Sequence, residues 1–255
     1  MYLQEVEAFF TFLSSHGHQL TDIDEEKVIH YRYHLLRKGK KVSTINKSIS
    51  TLSSFFKWAC QEGYFQKNYA EKIRMYQFTN IHRPRLKNDE VILLKKEISK
   101  ENNPLKKIRN HALIMVLLQA GLRIQEVASL KIDDVFYKEG CIKIQDSEYS
   151  RSICLPEGDM YLLIKWLLLR KKLYKKIYID SPYLFVTERS GQMQPRAIQY
   201  LLKKYSDKLG FSVTAQILRN TFCFQQVEKG LDPKQLMEVA GHRSIQTSYQ
   251  FFQDI

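Results

Sequence analysis

AGLRIQEVASLKIDD, residues 120–134, decides how the chain is read. Gly121 breaks an apolar run, and Arg123 then stands in the opening turn of a new helix. Glu126 lies three residues on, within reach of its guanidinium, so the carboxylate fixes the direction of the fork. Taken alone this is an ordinary helix-start ion pair. A second arginine occurs in QILRNTF, residues 216–222, where Gln216 and Arg219 are also three apart and project from one helix face. Near the carboxyl end, AGHRSIQTSYQFF, residues 240–252, places His242 directly after a glycine that ends a helix. Two arginines clamp the nonbridging oxygens of one phosphate and neutralise the charge that grows at phosphorus, while a histidine adds a hydrogen bond. That constellation moves a phosphoryl group without a metal.

Composition agrees with a polyanionic partner. The 255 residues carry 40 Lys+Arg against 27 Asp+Glu, a formal charge of +13, with a pI near 9.4. A folded chain this basic repels itself unless nucleic acid or an anionic surface neutralises it. A membrane span needs about 20 apolar residues. The best run, ALIMVLLQAG at 112–121, is shorter and ends at Gly121, so no membrane partner is expected. The amino terminus has Glu5 and Glu7 where a secretory signal would be basic. Four cysteines (Cys60, Cys141, Cys154, Cys223) lie far apart without a C-x-x-C, which argues against zinc and predicts reduced, buried thiols in a cytoplasmic protein.

With 44% hydrophobic residues and only 10 Gly and 6 Pro, the chain has a core and few turns, so it is mainly α. Val6, Phe9, Phe10, Phe12 and Leu13 form one stripe. Asp24 caps EEKVIHYRYHLLRKG, and Ser43 caps a helix carrying Ile45, Ile49, Leu52, Phe55, Phe56 and Ala59. These make a small helical domain over 1–78. A basic linker with Pro84 follows at 79–88, and a larger helical domain fills 89–255. Within it, LRIQEVASLKIDDV reads as one helix, while CIKI and SICLP flank a polar turn as a short β-hairpin. Basic clusters occur at Arg37, Lys38, Lys40, Lys41 and Lys47, again from Arg170 to Lys176, and at Lys203 and Lys204. His30 and His34 share a helix face without a zincin glutamate, and His16 and His18 flank a turn, so no metal ligands are assigned. No phosphate-cradling G-x-x-x-x-G-K-[ST] loop occurs.

In this order and spacing, AGLRIQEVASLKIDD, QILRNTF and AGHRSIQTSYQFF resemble the three boxes of the tyrosine recombinase (phage integrase-like) family. The resemblance covers almost the whole chain and implies a two-domain DNA clamp, a helical core-binding domain and a catalytic domain. It implies site-specific recombination of double-stranded DNA through a 3′-phosphotyrosyl intermediate, with no cofactor, by four protomers on two sites. It also implies a cytoplasmic, nucleoid-associated protein of a bacterium or phage. Arg123 and Arg219 would hold the phosphate, Glu126 would orient Arg123, and His242 would donate to a nonbridging oxygen. Three positions depart from the family pattern. The nucleophile's place, nine residues after the box histidine, holds Phe251; a phenyl ring cannot attack phosphorus. Phe for Tyr is the change an experimenter would choose to trap uncleaved DNA, with natural loss of activity as the alternative. Gln216 stands where the second box usually has His and cannot exchange a proton near neutral pH. The family's hairpin lysine falls on Asp146 when aligned through Arg151 and on Ser147 when aligned through Gly140, leaving Lys143 as the only hairpin lysine.

For DNA contacts the expected residues are Lys40, Lys41, Ser43, Thr44 and Lys47, then Arg83 and Arg85 in the linker, Arg151 in the hairpin, and Gln194, Arg196, Gln199 and Tyr200. Helix amino-terminal turns enter a major groove, and Arg and Gln suit base edges. Contact with phosphates alone, which positions without specifying, is the other reading. If cutting is absent altogether, the chain is an accessory protein occupying recombination sites.

Overall fold

The computed structural model describes residues 2–76, 83–145, 150–173 and 176–253. The chain divides into two compact units, Met1–Ile81 and His82–Ile255. The described residues include no helix long and apolar enough to cross a membrane.

The first unit is built from α1 (Tyr2–Ser15), α2 (Glu25–Arg37) and α3 (Val42–Gln61). Asp24 caps α2, its carboxylate accepting the Lys27 N–H at 2.8 Å. Ser43 does not cap α3: Lys41 holds that position, and Ser43 sits exposed in the first turn. The predicted apolar stripes meet in a core where Phe9 touches Tyr31 and Phe56 edge-on, at 5.2 and 6.2 Å between centroids. Aromatic edges prefer ring faces at such separations, which gives the three helices a common centre.

The second unit runs α4 (Asn88–Ser99), α5 (Pro104–Gln119) and α6 (Ile124–Ser129), then β1 (Val135–Phe136), β2 (Cys141–Gln145) and β3 (Ser150–Cys154). It continues with α7 (Glu157–Lys171), α8 (Lys176–Ile179), α9 (Pro195–Leu209), α10 (Ala215–Glu228), α11 (Pro233–Ala240) and α12 (Ile245–Tyr249). The run Ala112–Leu118 is buried all round, which makes α5 the central helix, packed against α4, α7 and α10. The single helix expected after Gly121 is shorter than its sequence suggests. It stops at Ser129, and the chain passes through a 3-10 turn into β1, so the hairpin gains a third strand in the antiparallel order β1-β2-β3.

Two further expectations change. Cys141 and Cys154 face each other across β2 and β3 and are joined as a disulfide, since directly paired strand positions bring their Cβ atoms together. Of the two free cysteines, Cys60 is half-buried and only Cys223 is buried. Arg170, read as part of a basic surface cluster, is 1% exposed. Its guanidinium donates to the carbonyls of Tyr178, Ser181, Tyr183 and Leu184, folding that connection onto α7. Net charge along a sequence does not distinguish a solvated cation from one that serves buried carbonyls.

Candidate active site

Gly121 makes the first turn of the site possible. Its φ of +57° suits glycine, and a Cβ there would lie 2.2 Å from the Phe222 ring. The chain thereby turns tightly out of α5 and delivers Arg123 to the position preceding α6. Glu126 then closes back on it, accepting the Arg123 backbone N–H at 2.6 Å and its Nη1 at 3.0 Å. The pairing read from the sequence is present, and a second cation joins it. Arg151 on β3 donates through Nη1 and Nη2 to the two Glu126 oxygens, each at 2.9 Å. Burial opposes ionisation of Glu126, but the Arg151 hydrogen bonds and charge, with those of Arg123, hold its carboxyl below the usual value.

Arg219 projects from α10 and is 6% exposed. Its Nη1 donates to the Gly121 carbonyl and its Nη2 to the Ala240 carbonyl at 2.7 Å. Arg123 Nη2 donates to the next carbonyl, that of Gly241. Two guanidinium groups from distant parts of the sequence are therefore anchored on consecutive peptide units, immediately before His242. Burial lowers the Arg219 pKa to about 10, which leaves it charged near neutrality. Both arginines line one cleft of about 690 Å³ together with Gln125, Gln199, Ser212 and Gln216. Gln216 is exposed in that lining and donates through Nε2 to Asn220 Oδ1 at 2.8 Å.

His242 follows the left-handed Gly241 that ends α11, and its Nδ1 lies 2.8 Å from the buried hydroxyl of Ser248. Burial, then the charges of Arg219, Arg123, Arg83 and Arg151, push its pKa down to about 3. The ring is therefore neutral at physiological pH. Phe251, 2% exposed, stacks parallel to it and meets Phe224 edge-on. Arg83 covers the Phe251 ring, with Cζ 4.8 Å from the centroid, and also bonds Gln250. Tyr249 is 47% exposed, on the surface rather than in this packing.

Of the remaining expected residues that the structure describes, Gln199 lines the same cleft and the others do not. Arg85 lies over Phe224 at 4.0 Å and pairs with Glu228 at 3.4 Å, while Leu86 N–H and the Pro84 carbonyl are bonded by Thr221 and Asn220 of α10. The linker segment 83–87 is thus held on the second unit. Lys143 of β2 pairs with Ser152 of β3; strand alternation puts it on the face opposite to Ile142, Ile144 and Arg151. Asp146 and Ser147 lie outside the described residues. Lys40 and Lys41 are exposed between α2 and α3, Ser43 and Thr44 are exposed in the first turn of α3, and Lys47 pairs with Glu5 at 3.1 Å. Gln194, Arg196, Gln199 and Tyr200 are exposed at the start of α9, where Gln194 donates to Gln192. Ser248 and the inward roles of Arg83 and Arg151 were not legible in the sequence, because no local spacing links them to the clamp.

Comparison with known proteins follows the same outline. Residues 84–254 match the phage integrase family, and residues 1–63 match the phage integrase N-terminal SAM-like domain. Tyrosine recombinase XerA of Pyrococcus horikoshii is 30% identical over 218 residues, covering 84% of this chain and 70% of the relative. Tyrosine recombinase XerC of Thermodesulfovibrio yellowstonii is 25% identical over 252 residues, covering 97% and 82%. In fold the chain is similar to XerH recombinase bound to palindromic difH substrate in a post-cleavage complex, with a TM-score of 0.78 at 21% identity over 99% of this chain and 75% of that one. It is also similar to a Tyr-to-Phe variant of the Tn1549 transposon integrase in complex with transposon right end DNA, with a TM-score of 0.74 at 19% identity over 98% and 90%. The chain belongs to the phage integrase family, the tyrosine recombinases.

Proposed function

We propose that this chain is a site-specific recombinase whose cleft grips one scissile phosphate of a double-stranded DNA recombination site, as one of four protomers on two sites. The observation that carries the reading is the anchoring of Arg123 and Arg219 on the Gly241 and Ala240 carbonyls beside His242. Each guanidinium has five N–H groups, so both keep donors for phosphate oxygens after these anchors are made. Their charges are fixed before DNA arrives, and a preorganised field needs no rearrangement as negative charge grows at phosphorus.

In the DNA-free chain a pKa of about 3 leaves His242 neutral, so what it offers an arriving phosphate is a hydrogen bond. The Nδ1–Ser248 hydroxyl contact is compatible with either tautomer; the one in which the hydroxyl donates to Nδ1 puts the ring proton on Nε2, where it can be donated to a phosphate oxygen. In the reaction of the family, a tyrosine oxygen bonds to phosphorus, the 5′-oxygen leaves with a proton, and a second 5′-hydroxyl later reverses the step. Phe251 occupies the nucleophile's place and supplies no oxygen, so the chain as it stands holds its DNA uncut. Lys143 would protonate the leaving oxygen only if the hairpin turned its outer face toward the cleft; otherwise His242 or water serves.

Restoring the hydroxyl tests the proposal. A duplex selected from a random library by binding to the Phe251 chain, then nicked, should yield a protease-sensitive covalent adduct with the Phe251→Tyr variant. No adduct at saturating DNA sinks the enzyme reading. That outcome selects the accessory reading, which Gln216 and Phe251 favour.

A further inference from the structure

We propose that Arg151 is a positioning residue of the phosphate clamp, acting through Glu126 and the Gly241 backbone rather than on DNA. The inference rests on the recombinase reading above. Arg151 comes from β3, and the strand register places it beside Ile142, Ile144 and Ile153 on the inward face. It is absent from the lining of the cleft that holds Arg123, Gln216 and Arg219. Its side chain is 11% exposed, against 37% for Arg123. Arg219 is buried as well, at 6% exposed, yet lines the cleft; what sets Arg151 apart is that its guanidinium is turned to Glu126 and away from that lining.

Glu126 explains what the buried guanidinium does. Oε1 accepts from Arg151 Nη1 and Arg123 Nη1, and Oε2 accepts from Arg151 Nη2 and the Arg123 backbone N–H. Each oxygen thus takes two hydrogen bonds, one from each arginine, and the carboxylate has no freedom to rotate. A lysine could satisfy one oxygen at a time; the planar fork fixes both. Arg151 also lies on Gly241: a Cβ at that glycine would sit 2.5 Å from Nη1. The Gly241 carbonyl is the second support of Arg123. Arg151 therefore touches both groups that aim the catalytic arginine, and the hairpin becomes part of the clamp's frame without touching the phosphate.

The test is a double-mutant cycle in the Phe251→Tyr background, read as the single-turnover rate of adduct formation at saturating selected duplex. Arg151→Ala should lower the rate about 100-fold, the order expected when a reacting group is misplaced by about an ångström. DNA affinity should stay within about threefold, since one phosphate contact is not being removed. Arg151→Lys should not restore the rate. On a Glu126→Gln background, Arg151→Ala should add little, because its route to Arg123 is already cut. Full additivity, or a loss of affinity matching the loss of rate, overturns the proposal, the second outcome in favour of direct DNA contact. If the parent yields no adduct, the recombinase reading fails separately. The positioning claim is then read in the unaltered Phe251 chain by NMR of the Arg123 guanidinium. Distinct, slowly exchanging Nη protons that average in Arg151→Ala support it, and an unchanged spectrum overturns it.

Discussion

The phenyl ring of Phe251 lies parallel to the imidazole of His242, 5.7 Å between centroids with 6° between planes. Position 251 is therefore part of the wall that desolvates the histidine. Phe224 closes one side of it and Arg83 covers it. Removing the ring by Phe251→Ala should cost about 3–5 kcal/mol, the range for emptying a buried phenyl site, and should raise the His242 pKa as water enters. Phe251→Tyr retains the ring and should change stability by no more than about 1 kcal/mol. Urea unfolding of the three proteins gives the comparison, and equal stabilities for the Ala and Tyr variants would contradict the packing.

His242 should make the fold acid-sensitive. Its pKa is about 3 in the folded chain, against about 6.5 when unfolded. Between these values the unfolded chain binds a proton that the folded chain refuses, so the depressed pKa stabilises the fold fully above about pH 6.5. That stability is lost as pH falls toward 3, by up to about 1.4 kcal/mol per unit. Subtracting the pH profile of His242→Gln from that of the parent isolates this slope. Indistinguishable profiles would show that the imidazole is not desolvated. Bound DNA should shrink the slope, because a phosphate beside the ring favours its protonated form.

The chemistry was legible where it is local. Arg123 and Glu126 are three residues apart and bond as their spacing predicts, and Gln216 and Arg219 share a helix. What sequence could not supply are partners brought together by the fold. Arg151 meets Glu126 from 25 residues away through strand register, and that register was uncertain from a polar turn. Arg83 and Arg85, basic and next to Pro84, suit a phosphate-bound linker equally well; only the packing of residues 83–87 on α10 shows them over Phe251 and Phe224. The fold class followed from helical periodicity. The shortness of α6 did not, because its apolar spacing continues past Ser129 into residues that become 3-10 turn and strand.

The cross-strand pair gives a prediction about the hairpin itself. Cys141 and Cys154 are bridged across a separation of 13 residues, a loop for which removal of the crosslink costs on the order of 3 kcal/mol. Reductant should lower the unfolding midpoint of the second unit, and a doubly substituted Cys141→Ser, Cys154→Ser chain should be insensitive to it. Quantitative alkylation of both thiols in the native chain, without reductant, would show that the bridge does not form in solution. Cys223 provides an internal reference, since burial pushes its thiol up to about 11 and keeps it unreactive.

Gly121 and Gly140 separate backbone strain from packing. Both have positive φ, +57° and +69°. A Cβ on Gly140 meets nothing within 4 Å, whereas one on Gly121 strikes Phe222 Cδ1 at 2.2 Å. Gly140→Ala should therefore cost only the left-handed penalty, about 1–2 kcal/mol. Gly121→Ala adds an overpacking cost of about 1–3 kcal/mol, and its consequence reaches the site. The Gly121 carbonyl accepts from Arg219, and Phe222 is three residues beyond that arginine on α10, so relieving the clash moves one anchor of the clamp. In the Phe251→Tyr background, Gly121→Ala should slow adduct formation at saturating DNA, while Gly140→Ala should not. Equal destabilisation by the two substitutions would mean that the Phe222 ring yields freely, and the tight turn that delivers Arg123 would then not depend on the missing side chain.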